Sequence, residues 1–189
     1  MKKKTIKVLI IALRDALIAV ALLVILLQFF APMVVIGPSM ENTLQQKEIV
    51  YVAKQAYLFS EPQRGDLVVV HTKIEDAAGN DKRAVKRIIG VPGDTIGIAG
   101  GTVYLNGVPL DEPYTKEGRT DSPLGDITVP EGAYFVLGDN RAESNDSRSS
   151  TIGYIHDNKN TQISFVSESQ IRGKVVLRIM PFSRFGILE

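Results

Sequence analysis

The apolar positions of this chain fall into two regimes. From Ala16 to Ile36 they form one nearly unbroken run, interrupted only by Gln28 and Pro32. A bilayer span takes about 20 residues, so this run is long enough to be one. Its last part, proline-broken and β-branched, reads less like helix. Beyond it the pattern shortens to runs rich in Val, Ile and Tyr: Met33–Ile36, Glu48–Ala53, Asp66–His71, Ala84–Ile89, Thr102–Leu105, Tyr134–Leu137 and Lys174–Ile179. Such runs predict strands. Turn residues punctuate them at Gly65-Asp66, Pro92-Gly93-Asp94, Asn106-Gly107 and Gly138-Asp139-Asn140. The Asn-Gly pair predicts a tight hairpin. A helical turn is expected over Ser167–Ile171, and the initially polar stretch His156–Ser167 reads as a surface loop. The expected fold class is mainly β: an N-terminal transmembrane helix, then a β-rich core. Thr95–Gly132, rich in Gly and Pro with a loop around Thr115–Gly125, would form a small β insertion.

Charge orients the apolar run. Lys2, Lys3, Lys4, Lys7 and Arg14 precede it, and the next basic residue is Lys47. By the positive-inside rule the N-terminus is cytoplasmic and the chain after the run lies on the far side of the membrane. A cleaved leader would end on a small-x-small site; here Gln28-Phe29-Phe30-Ala31-Pro32 follows the apolar core, which fits a retained anchor. The expected organisation is a basic N-terminus over 1–15, an anchor over 16–31 and an extracytoplasmic domain over 32–189, with the insertion at about 95–132. Overall, 22 Lys and Arg balance 21 Asp and Glu, which points away from nucleic acid. There is no cysteine, so thiolate metal sites and a Cys nucleophile are excluded. His71 and His156, the only histidines, stand far apart in different contexts. No metal and no organic cofactor are expected.

Three stretches carry candidate chemistry. In Gly37-Pro38-Ser39-Met40, glycine permits unusual backbone angles and proline fixes φ just ahead of the serine. Such a turn can present a hydroxyl and a cluster of N–H groups, and it is equally a plain loop leaving a membrane. In Ala84–Ile89, strand alternation puts Ala84, Lys86 and Ile88 on one face and Val85, Arg87 and Ile89 on the other. Lys86 is thus flanked by apolar neighbours. Burial lowers a lysine pKa, and a drop of about three units makes a base competent near neutral pH. The alternative is a snorkelling lysine in a basic patch with Lys82, Arg83 and Arg87. The third stretch, Gly138 to Arg148, is dense in polar groups. It is either an ordinary polar loop or one in which Ser144 orients the lysine while Asp146 and Arg148 pair.

Taken together and in this order, the motifs resemble the bacterial signal peptidase I family. The resemblance rests on Gly-Pro-Ser-Met-Glu-Asn-Thr-Leu at 37–44, Arg-Gly-Asp-Leu-Val-Val at 64–69 and Lys-Arg-Ile-Ile-Gly-Val-Pro-Gly-Asp at 86–94. It continues through Gly-Asp-Asn-Arg-x-x-Ser-x-Asp-Ser-Arg at 138–148, Ile-x-Gly-Lys-Val at 171–175 and Pro-Phe at 181–182. It implies Ser39 as nucleophile, Lys86 as general base, Ser144 hydrogen-bonded to the lysine amine, and Asp146 with Arg148 as a structural ion pair. It implies secretory preproteins as substrates, cut after a small-x-small pattern, with Val35, Ile36, Met40, Leu44, Ala84 and Val85 lining shallow pockets. Three departures stand out. Asn42 occupies a position where the family commonly has proline, which suggests a looser turn. Gly37 stands where some relatives place an oxyanion-hole hydroxyl, and the segment over 156–167 is long. Three rivals are a relative dedicated to one substrate, a tethered peptide-binding β domain without catalysis, and a metalloenzyme, the weakest of them.

Overall fold

The computed structural model describes residues 2–75, 81–157 and 162–188, apart from the side chains of residues 2–4, 25–30, 75 and 81. Helix α1 (Lys2–Phe29) runs directly into strand β1 (Phe30–Val34). Leu9, Leu17 and Leu22 on α1 are exposed. Among the described residues no helix is long and apolar enough to cross a membrane. Lys7, Arg14 and Asp15 interrupt the part of α1 whose side chains are described, and the expected anchor continues through residues 25–30, whose side chains are outside that set.

The chain continues through β2 (Ile49–Ala53), β3 (Leu67–Glu75), β4 (Asp81–Gly90), β5 (Thr95–Ala99), β6 (Thr102–Leu105) and β7 (Val108–Pro109). It ends with β8 (Leu124–Thr128), β9 (Ala133–Leu137), β10 (Ile155–His156), β11 (Ser164–Ser167), β12 (Ile171–Met180) and β13 (Gly186–Ile187). Among the described residues the large sheet has the order β1-β2-β12-β3-β4-β9-β11-β10, with β13 on β12, and a four-stranded sheet has the order β7-β6-β5-β8. The architecture is mainly β, as the turn-punctuated apolar runs predict.

Strand β3 shows why. Leu67 and Val69 face a core with Val35, Met40, Leu44, Val52 and Val175. Val68 and Val70 face another with Ile88, Tyr134, Val136 and Val166. A strand covered on both faces reads as a continuous apolar run because alternation has no solvent side to reveal. A third core joins Ile96, Ile98, Val103 and Ile127 of the small sheet to Ile89, Leu137, Phe135 and Phe165 of the large one. Phe135 and Phe165 meet edge to face with ring centroids 6.3 Å apart.

Three parts depart from the expectation. Inside the expected anchor the helix ends at Phe29, and Phe30 and Ala31 already pair with Ala53 and Val52 of β2. Strand β5 was not legible because Gly97 breaks its apolar run; a Cβ there would collide with the Asp126 carboxylate on β8. The stretch expected as a loop over His156–Ser167 contains β11, whose Phe165 and Val166 are buried, while residues 158–161 lie outside the described residues. The helical turn near Ser167–Ile171 is present as a 3₁₀ turn over Glu168–Gln170.

Where β12 crosses β2, Gly173 has φ +146, and a Cβ there would stand 2.5 Å from the Ala53 carbonyl oxygen and 2.9 Å from the Lys54 Cα. Backbone atoms cannot swing away as a side chain can. Gly173→Ala is therefore expected to cost about 2 kcal/mol or more, read from the urea midpoint. An unchanged midpoint would show that the crossing has slack.

Candidate active site

The segment between β1 and β2 folds into a compact turn. Gly37 takes φ +85, which only glycine adopts without strain. Pro38 follows, and its carbonyl accepts from Glu41 N at 2.9 Å, while Thr43 N and Leu44 N both donate to the Met40 carbonyl. The turn is nailed down by Met40 and Leu44, which are 1% and 0% exposed and belong to the core beneath it. Both are core residues, and Val35 and Val85, expected along the same shallow pockets, are buried with them. Of the six expected pocket residues, Ile36 is fully open at 91% exposure and Ala84 is half-buried.

Ser39 sits on this turn opposite β4. Lys86 is 2% exposed, and its Nζ donates to Ser39 Oγ at 2.7 Å. The alternation expected for β4 holds: Ala84 and Ile88 pack in the core of Val68 and Val70, whereas Val85 joins that of Leu67 and Val69. Lys86 is thus a buried lysine, not a snorkelling one. Burial pulls its pKa from 10.5 down to about 8, against the attraction of Asp146 and Asp139 and with some help from Arg148.

The two acids are not free. Asp146 forms a two-pronged pair with Arg148, Nε to Oδ1 and Nη2 to Oδ2, both at 2.8 Å, and also accepts from Gly138 N at 3.1 Å. Asp139 accepts from Arg87 Nε and Nη2, both at 2.9 Å, and from the Thr43 hydroxyl. Asp139 and Arg87 are both buried, and the Arg87 guanidinium lies 4.0 Å from the centre of the Tyr114 ring. The neighbouring Asn140 N–H donates to the Ser39 carbonyl at 3.1 Å. Among the described residues the N–H of Ser39 itself donates to no protein acceptor.

Ser144 is placed differently from expectation. Its hydroxyl is buried and makes no hydrogen bond, so the expected bond to the Lys86 amine is not formed here. It packs over Gly138, where a Cβ would collide with the Ser144 hydroxyl and with the Ser39 carbonyl oxygen. The close approach of these two loops is what requires glycine at 138. Asn42 is also not what the sequence suggested. Its φ is +90, a value closed to proline, and its amide reaches the carbonyls of Tyr114 at 3.0 Å and Thr115 at 3.3 Å. The turn is tied down by this side chain rather than loosened by the missing ring.

Sequence reasoning missed several residues that hold the site. Arg87, Asp139, Asn140 and Thr43 lie inside the recognised motifs, but no local pattern pairs residues about fifty positions apart. Glu48, 2% exposed, is met by Arg184 at 2.8 Å and Arg178 at 3.4 Å. Both arginines also donate to the Thr43 carbonyl, so the C-terminal strand region grips the same turn. No group of His, Asp or Glu among the described residues could hold a metal ion.

Residues 6–180 match the family model described as signal peptidase, peptidase S26. Signal peptidase I S of Bacillus subtilis (strain 168) is 42% identical over 142 residues, covering 69% of this chain and 73% of its own. A probable signal peptidase I-1 of Synechocystis is 36% identical over 178 residues, covering 91% of this chain and 84% of its own. A signal peptidase I structure from Enterococcus faecalis V583 is 32% identical with a TM-score of 0.42, covering 61% of this chain and 97% of that one. With these relatives, the chain belongs to the signal peptidase family, peptidase S26, and is a serine endopeptidase of the signal peptidase I type.

Proposed function

We propose that this protein removes signal peptides from secretory preproteins after a small-x-small site, using Ser39 as nucleophile and Lys86 as general base. The observation that carries the reading is the 2.7 Å contact between Lys86 Nζ and Ser39 Oγ inside a buried, pKa-lowered environment. Neutral Lys86 accepts the Ser39 hydroxyl proton as Oγ bonds to the scissile carbonyl carbon. The ammonium then returns that proton to the departing amine as the peptide C–N bond breaks, leaving an ester on Ser39. Water deprotonated by the same amine hydrolyses the ester. The unengaged Ser39 N–H is the donor we assign to the oxyanion, and Gly37 adds no side-chain donor to it. Ser144, whose hydroxyl has no competing partner, is assigned to orient the amine by turning toward it once the Ser39 contact is given up.

The preprotein is proposed to bind in extended form along free strand edges. Among the described residues β1 ends the large sheet, and β4 pairs with β9 only from Arg87 to Gly90, which leaves the strand ahead of Lys86 without a described partner on that side. Added strands gain main-chain hydrogen bonds while alternate side chains are inspected. Val35, Ile36, Met40, Leu44, Ala84 and Val85 form the apolar ground on which small side chains would rest, Ile36 and Ala84 by direct contact and the buried four from beneath. We further propose a single pass through the plasma membrane over 16–31, with 1–15 cytoplasmic and 32–189 outside, the small sheet being an insertion at about 95–132. An enzyme and a signal peptide held in one bilayer meet at a raised effective concentration.

Cleavage of a preprotein with an Ala-x-Ala site, assayed with detergent-solubilised wild type, Ser39→Ala and Lys86→Ala, tests the reading. Wild type is expected to cut after the second alanine, and both variants to lose at least about 10³-fold in rate. Near-normal turnover by either variant would remove it from the mechanism. The rate kcat/KM is expected to rise with pH and reach half its limit near 8, where Lys86 loses its proton; a profile flat from pH 6 to about 10 would eliminate Lys86 as base.

Stability carries the same signature. The pKa of Lys86 falls from 10.5 to about 8 on folding, so between those values the unfolded chain holds a proton that the folded one has released. This contribution to stability rises as pH climbs through that window. Below about pH 8 it is unfavourable by on the order of 3 kcal/mol. Lys86→Met is therefore expected to raise the urea midpoint at pH 7 and to lose that advantage by about pH 10.5. A variant less stable than wild type at pH 7 would mean that the lysine contributes more to the fold than its burial costs.

A further inference from the structure

The turn bearing Ser39 is held on one flank by a segment from a different part of the chain. Asn42 has φ +90, in a region that asparagine tolerates better than most residues and proline cannot enter. Its Nδ2 donates to the carbonyl oxygens of Tyr114 and Thr115 at 3.0 and 3.3 Å. Just before it, Glu41 pairs with Lys116 at 2.8 Å. Two consecutive residues of the turn thus engage three consecutive residues of the segment between β7 and β8.

That segment is itself anchored in the active site. Lys116 N donates to the Asp139 carbonyl at 3.0 Å, and the Tyr114 ring covers the Arg87 guanidinium. Its hydroxyl donates to Glu112 at 3.0 Å, and Glu112 pairs with buried Arg141 at 2.5 Å. Arg87 follows Lys86 in β4, so the strap joins the nucleophile's turn to the base's strand by a route that passes through neither reacting group.

We propose that Asn42 is a positioning residue for acylation: by locking the turn onto the Tyr114–Lys116 strap it sets Ser39 Oγ on Lys86 Nζ. The proposal rests on the reading of Ser39 as nucleophile and goes beyond it. Asn42 is exposed and outside the apolar cores, so its removal is expected to disturb the fold little. Its effect is on geometry: only two residues separate it from Ser39, in a turn closed by the Glu41 to Pro38 and Thr43 to Met40 bonds. Displacing a reacting atom by about 1 Å can cost on the order of 10²-fold in rate.

Three substitutions in the full chain separate the components. Asn42→Gly keeps the positive φ and removes the amide, Asn42→Asp replaces the donor with an acceptor facing two carbonyl oxygens, and Asn42→Pro forbids the φ. The readouts are kcat, KM and melting temperature with an Ala-x-Ala preprotein, beside wild type and Ser39→Ala. Asn42→Gly is expected to lower kcat about fivefold, the worth of one ordinary hydrogen bond, with KM within about twofold. Asn42→Asp and Asn42→Pro are expected to lower kcat by about ten- to a hundredfold, with a melting temperature within a few degrees of wild type for Asn42→Asp. If Asn42→Gly and Asn42→Asp keep wild-type kcat, or if their losses appear in KM or track the melting temperature instead, Asn42 does not position the nucleophile. If Ser39→Ala retains activity, the nucleophile assignment fails first and this proposal with it.

Discussion

The constraint on which the site depends is that one amine, Lys86, is kept out of water. An ammonium at 2% exposure loses hydration that no single neighbour restores, so the neutral form gains. Two carboxylates nearby would normally reverse this. They do not, because each is already committed: Asp139 to Arg87 and Asp146 to Arg148, both through two hydrogen bonds. Their attraction for Lys86 survives only in part, and burial dominates the balance. The acids can therefore organise the loops around the amine without holding a proton on it.

The fold serves this arrangement through β4. Interior to the large sheet and bearing buried residues on both faces, β4 carries Lys86 and Arg87 as neighbours pointing opposite ways. One is the neutralisable amine beside Ser39, the other the cation that fixes Asp139. Buried ion pairs of this kind add little net stability against an apolar alternative, but losing one partner strands a charge at about 3–5 kcal/mol. Their contribution is registry. Asp139 also accepts from Thr43, and Asn140 holds the Ser39 carbonyl, so the loop after β9 and the turn after β1 are set against each other to within a hydrogen bond.

How far the sequence foretold this depends on the range of each interaction. Strands such as β3 and β9 were legible because their apolar runs are local; β5 was not, because Gly97 answers to Asp126 on another strand. Ser39, Lys86 and the Asp146–Arg148 pair stood out because short motifs carry them. Met40 and Leu44 entered as pocket-lining residues through the family resemblance alone, and their burial in the core beneath the turn was not legible because it depends on residues as distant as Leu188. Asn42 looked like a lost proline because its partners, Tyr114 and Thr115, are more than seventy positions away. Ser144 was assigned by motif, and only side-chain placement reveals that its hydroxyl bonds nothing.

The buried polar atoms left without hydrogen bonds sharpen the point. Among the described residues they are Asn140 Nδ2, Ser144 Oγ, Arg178 Nε and Arg184 Nη1, the last still 2.8 Å from Glu48 as an ion pair. All four belong to residues that surround one turn: Asn140 bonds the Ser39 carbonyl, Ser144 packs against it across Gly138, and the two arginines bond the Thr43 carbonyl. Folded proteins rarely leave such atoms unpaired, and when they do the cost collects where function needs unused capacity. Elsewhere in the described chain, a side chain as buried as Gln170 has its amide oxygen and both amide protons engaged. The spare donors and acceptors gather around the Ser39 turn, and on the proposed reading a turn that accepts a substrate and exchanges protons cannot have all its hydrogen bonds already made.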